Sequence, residues 1–153
     1  MSIADLNQAF ELIEKNKALV DFDGPKPLEL IESAESALGM KFPRTYKLFL
    51  ERLGCGDING IEFYGVIKDD FENSSVPDAI WLTLEKRRNS GLAASLVLIA
   101  ETGEGSYYAI NVEEINDDGE CPIVEWNPGS PLISKIADDF GAFMMAKIQN
   151  VIS

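Results

Sequence analysis

The chain contains no histidine. That removes the commonest general base and the commonest transition-metal ligand, and it makes a Ser-His-Asp or Cys-His arrangement impossible within one chain. Basic residues are also scarce: 13 Lys and Arg stand against 26 Asp and Glu, a formal net charge of −13. Phosphate contacts need clustered Lys and Arg, so neither nucleic acid nor an anionic membrane is an expected partner. The imbalance favours a cationic partner and would speed encounter with one, although acidic surfaces also serve solubility alone. Two cysteines, Cys55 and Cys121, are too few for a disulfide framework or a zinc site. They suit a reduced, cytoplasmic setting, with a single disulfide left open. No apolar run approaches the roughly 20 residues of a membrane-spanning helix. The opening MSIADLNQAF has neither the basic n-region nor the apolar core of a secretory signal.

What is present fits one domain over residues 1–153, with 46% hydrophobic residues and enough length to close a core without metal or disulfide staples. Ile3, Leu6, Phe10 and Ile13 recur at helical spacing, which predicts an N-terminal helix over residues 1–20. Gly24, Pro25 and Pro27 break the chain across 21–27. A second helix carries Leu28, Ile31, Ala34 and Leu38 and ends at Gly39, where a left-handed terminator is expected. Pro43 suits the first turn of a third helix, which turns Tyr46, Phe49, Leu50 and Leu53 inward and stops at Gly54.

After Gly60 the period shifts toward two, with Ile61, Phe63, Gly65 and Ile67 alternating with Glu62, Tyr64 and Val66. A short helix is expected over 78–89, then strands over 96–100, 107–112 and 122–126. Glu101 to Gly105 reads as a hairpin turn between the first two of these. Ile133, Ile136, Phe140, Phe143, Met144 and Ile148 predict one long closing helix. Helices at both ends of a run of short strands read as an α+β fold, with helices packed on a largely antiparallel sheet.

None of the candidate motifs assembles a nucleophile, a base and an oxyanion donor. Serine–lysine and paired-carboxylate mechanisms stay formally open, but the expectation is a non-enzyme with no catalytic residue, cofactor or metal. Gly54, Gly56 and Gly60 follow a helix rather than a strand and lack the Lys–Ser/Thr pair of a phosphate loop, so a terminator and tight turn explain them. Glu113, Glu114, Asp117, Asp118 and Glu120 form the densest acidic run. It lacks the alternating ligands of a calcium loop and reads either as a solvated turn or as a docking surface for Lys and Arg. Asp69, Asp70 and Glu72 invite the same two readings, as do Glu101 and Glu104 in the hairpin. Among the aromatics, Trp126 and Tyr107 read as core, and Trp81 is a further candidate. Tyr64, out of phase with Ile61 and Phe63, is the best candidate for a partner contact. Cys55 has nothing basic beside it in sequence to stabilise a thiolate.

Read together, Ile31–Glu32 through Glu35, Leu38–Gly39, Phe42–Pro43, Tyr46, Phe49–Leu50 and Gly54–Cys55–Gly56 resemble the signature of the SUKH superfamily, also called Smi/Knr-like. Gly65, the Gly103–Gly105 turn before Tyr107–Tyr108, Cys121–Pro122, Trp126 and the closing Ala137–Asp138–Asp139–Phe140–Phe143 agree in order, so the resemblance runs from about 28 to 148. Many bacterial relatives carry an aspartate after the turn glycine, where this chain has Ser106. The resemblance implies an α+β protein-binding domain. Bacterial members commonly serve as immunity proteins that neutralise polymorphic toxins, many of them nucleases, while eukaryotic members act in cell-wall and signalling regulation. The expectation is therefore a cytoplasmic immunity protein, with a monomer favoured, that binds a toxin with a basic surface. The alternative is a regulatory scaffold with an endogenous partner.

Overall fold

The computed structural model describes residues 2–130 and 132–152. Helix α1 (Ser2–Lys15) leads through a short 3-10 turn, Lys17–Leu19, into strand β1 (Val20–Phe22). Helices α2 (Leu28–Leu38) and α3 (Arg44–Arg52) follow, then strands β2 (Gly56–Ile58) and β3 (Ile61–Phe63). After α4 (Ala79–Asn89) come β4 (Leu96–Glu101), β5 (Tyr107–Asn111), β6 (Ile123–Trp126), β7 (Ile133–Ala137) and the closing helix α5 (Phe140–Ile152). Strands β1-β2-β3 form one antiparallel sheet and β4-β5-β6-β7 another, each in sequence order. The α+β class expected from the sequence is what the chain adopts.

Local chemistry accounts for the helix ends. Gly39 takes φ +72° and its N–H reaches back to the carbonyls of Glu35 and Ser36, closing α2; a left-handed residue at this place favours glycine. Asp78 caps α4, its Oδ1 accepting from the N–H groups of Ile80 at 2.9 Å and Trp81 at 3.0 Å. Asp139 does the same for α5 through the N–H of Ala142 at 2.8 Å. Each cap satisfies amide donors that a helix leaves without partners.

The core joins the elements through aromatic rings. Tyr46 and Phe49 of α3 meet Phe140 of α5 at centroid distances of 5.1 and 5.2 Å, and Phe63 of β3 meets Phe143 at 6.2 Å. All five side chains are buried, and each contributes roughly 1.5–3 kcal/mol through removal from water. Trp126 is buried as expected, its ring 6.1 Å from that of the half-buried Tyr107.

Three sequence expectations are corrected. The N-terminal helix stops at Lys15 rather than running toward residue 20, and Val20–Phe22, partly read as a break, pairs with Gly56–Ile58 in a short sheet. The expected long closing helix is two elements: Ile133 and Ile136 lie in β7, paired to β6, and α5 begins at Phe140. Ile133 and Ile136 are three apart, which fits a helix turn, but β-branched residues also suit a strand and a partner strand was waiting. Asp139, as an N-cap, was the signal that marks the true start of the helix.

Candidate protein-binding surfaces

Tyr64 follows β3 directly and is only 2% exposed. Its N–H donates to the Ile99 carbonyl at 2.7 Å, stitching the end of β3 to β4, and its carbonyl accepts from the Tyr46 hydroxyl at 2.9 Å. The expectation that Tyr64 projects outward is therefore corrected. Period-two alternation stops at Phe63, because residues 63–66 pass between β4 on one side and the Gly54 and Pro77 backbones on the other, and all four are buried. The phenol is pushed well above the usual tyrosine range, first by burial and then by the Glu101 and Glu62 carboxylates. It is no acid or base at neutral pH.

Above Tyr64 lies a cleft of about 380 Å³ between β3 and the β4–β5 hairpin, with Glu62, Glu101, Thr102, Tyr108 and Lys147 on its walls. Lys147 is engaged already: its Nζ donates to the Tyr108 hydroxyl at 2.9 Å and sits 4.4 Å from the ring centre. The exposed Glu62 and Glu101 thus offer counter-charge to a cationic group entering from outside. Glu104 is exposed at the tip of the same hairpin, its N–H bonded to Thr102 Oγ1.

The acidic run 113–120 is the turn between β5 and β6. Asn116 organises it, its Oδ1 accepting from the N–H groups of Asp118 at 2.8 Å and Glu120 at 3.0 Å. Glu113, Glu114, Asp117 and Asp118 are exposed, and Asp117 and Asp118 make no ion pair among the described residues. Glu120 does not belong to that surface. It is 3% exposed and turned inward, where its carboxylate accepts the Thr45 N–H at 3.0 Å and the Thr45 hydroxyl at 2.6 Å. In the 69–72 segment the residues are largely exposed, but part of their charge is engaged: Asp70 accepts from Asn73, and Glu72 lies 3.6 Å from Arg88.

Several polar residues that sequence reasoning passed over hold the frame. Buried Glu35 accepts the Phe42 N–H at 2.7 Å and so fixes the link between α2 and α3. Arg87 donates to the Leu38 carbonyl at the end of α2 and to the Ala94 carbonyl. Ser106 is buried, with its hydroxyl 2.7 Å from a Glu125 carboxylate oxygen and 2.8 Å from Thr102 Oγ1; an aspartate there would confront Glu125. Gly54 and Gly65 touch backbone to backbone, and a Cβ on Gly65 would stand 1.8 Å from the Gly54 carbonyl oxygen. The glycine motif thus serves close packing. Cys55 is buried, its thiol pushed up to about 11, chiefly by burial and then by Asp23.

Among the described residues no group of three or more His, Cys, Asp or Glu is placed to hold a metal ion, and no helix is long and apolar enough to cross a membrane. Residues 28–144 match the family model SUKH_6, described as SMI1-KNR4 cell-wall. The matched span runs from the start of α2 into α5 and contains the acidic segments described above, together with every named wall residue of the cleft except Lys147.

Proposed function

Because this chain belongs to the SUKH superfamily, we propose that it is an immunity protein that binds a cognate polymorphic toxin and neutralises it stoichiometrically. Members of the family are commonly immunity proteins, and the family match over residues 28–144 is the observation that carries the reading. The protein acts by binding in the cytoplasm rather than by catalysis. Its charge, −13 overall, suits a toxin with a basic groove, such as a nuclease that must itself attract phosphates. Exposed carboxylates at Asp69, Asp70, Glu72, Glu101, Glu104, Glu113, Glu114, Asp117 and Asp118 supply the complementary field, which raises the association rate more than it slows dissociation. Tyr64 and Glu120 support this surface from below: Tyr64 floors the Glu62–Glu101 cleft and Glu120 anchors the acidic turn to α3.

The family description, with its reference to the cell wall, favours one second reading, a regulatory scaffold for an endogenous protein. Calorimetric titration into an inactivated toxin-like domain, where one is encoded beside this gene, separates the two, and the lack of such a neighbour counts as absence of binding. Saturation at fixed stoichiometry with nanomolar affinity that weakens as salt rises supports immunity through charge. Tight, salt-independent binding keeps immunity and removes the charge argument. Absence of binding gives the scaffold reading precedence.

A further inference from the structure

Strand β7 is an edge of the four-stranded sheet and, among the described residues, is paired on one side only, to β6. An edge strand offers a row of outward N–H and C=O groups to any chain that can lie alongside it, and folded proteins usually blunt such an edge. Here Ile133, Ser134, Lys135 and Ile136 are all exposed, and Leu132 just before them is 77% exposed. Ile115, 68% exposed, borders the same region from the acidic turn. Four of the seven exposed large hydrophobic residues of the described chain, Ile115, Leu132, Ile133 and Ile136, thus gather around one short strand. The charge that would normally guard it is tied back, since Lys135 Nζ bonds Asp138 Oδ1 at 2.7 Å.

The surroundings specify what the edge can accept. At one end of β7 a depression of about 500 Å³ holds Glu114, Ile115, Asp118, Lys135 and Asp138. At the other end, Ile133 shares a second depression of about 510 Å³ with Trp126, Leu96 and Glu113. Ile133 and Lys135 are two apart on the strand and share a sheet face, so each depression opens on the same side of the edge. A second copy of this chain is a poor occupant: edge-to-edge pairing would bring two acidic turns together on molecules that each carry a charge of −13. An extended segment with alternating apolar and cationic residues satisfies both demands. Its backbone continues the sheet, its Lys or Arg residues meet Glu113, Glu114 and Asp118 on the side of the two depressions, and its apolar side chains lie on the opposite face.

We propose that β7 is a docking edge that receives an extended, basic segment of a partner protein by strand addition. The proposal rests on the reading of the domain as a protein-binding module and names the element that does the binding. Backbone pairing supplies affinity, while the acidic turn selects positive over negative segments.

The test uses the isotope-labelled full chain and two synthetic eight-residue peptides, one alternating lysine with valine and one alternating glutamate with valine. With the lysine peptide, amide exchange along Ile133–Ala137 slows by about tenfold or more, the effect shrinks with added salt, and the glutamate peptide does nothing. The double variant Ile133→Lys/Ile136→Lys, altered only at exposed positions, melts as the unaltered chain does and loses the protection. Equal protection by both peptides, shifts confined to residues 113–118, protection at the Glu62–Glu101 cleft instead, or self-association through β7 would each overturn the proposal. The two hypotheses fail separately. A toxin-like domain bound equally well by the double variant sinks the docking edge and leaves immunity standing. If neither protein binds that domain, immunity falls and the peptide result still decides the edge.

Discussion

Glu120 caps helix α3 from 75 residues away along the chain: its two carboxylate oxygens take the N–H and the hydroxyl of Thr45. The residue before α3, Pro43, has no side chain able to cap it, so the helix start borrows its acceptor from the turn before β6. The same pair ties the acidic turn, the most charged exposed segment, to the aromatic core. Replacing Glu120 by Ala leaves two buried donors on Thr45 without partners, and the expected loss is about 2 kcal/mol of stability. Urea unfolding would read it as a lower midpoint with an unchanged slope.

The Glu120 carboxyl is held above the ordinary glutamate value, because burial outweighs the bonds from Thr45. The folded state therefore binds this proton more tightly than the unfolded state does. Its contribution to stability is fullest below the unfolded value and is lost as pH rises through the folded one. Between neutral pH and the ordinary glutamate range, acidification should stabilise the unaltered protein relative to Glu120→Gln. A stability difference between the two that stays flat with pH would contradict this assignment.

The side chains of Asp117 and Asp118 are exposed and make no ion pair among the described residues. Reversing both to Lys should leave stability within about 0.5 kcal/mol while slowing association with a basic partner by about tenfold at low salt. Stopped-flow association rates at several ionic strengths would show it; an unchanged rate removes this turn from the interface.

Gly65 packs directly on the backbone, with its place for a Cβ already taken by the Gly54 carbonyl oxygen. The Gly54 carbonyl also accepts the Val66 N–H at 3.0 Å, so it has little freedom to retreat. Gly65→Ala should cost more than about 3 kcal/mol, seen as a large fall in melting temperature or in soluble yield. Gly119→Ala, with open space around it but a φ of +77°, should cost only about 1 kcal/mol.

Both cysteine thiols are buried and pushed up to about 11, Cys55 by burial and Asp23, Cys121 by burial and Glu120. Only the thiolate reacts. The native protein should therefore resist a disulfide thiol reagent at pH 8, and both cysteines should react once denaturant is added. Rapid native labelling of Cys55 would revive it as a reactive thiol.

Local signals carried the fold far. Gly39 and Gly54 mark helix ends through the freedom of a glycine backbone and Pro43 through its locked φ, and the 101–105 turn joins two strands as its glycines predict. Net charge and the missing histidine are read directly from the residues and narrowed the chemistry before any coordinates were needed. Those properties belong to individual residues or to short windows, and the sequence by itself determined them.

Tertiary structure decided the rest, because each remaining choice depended on a partner far along the chain. Tyr64 looked outward by period two, yet the chain at 63–66 runs through the interior and buries both sides. Ile133 and Ile136 matched a helix by spacing, yet β6 offered an unpaired edge and made them a strand. Glu120 looked like one carboxylate of a solvated run until Thr45 claimed it. Burial and long-range hydrogen bonds select between local patterns that are equally good alone, and no window of sequence contains both members of such a pair.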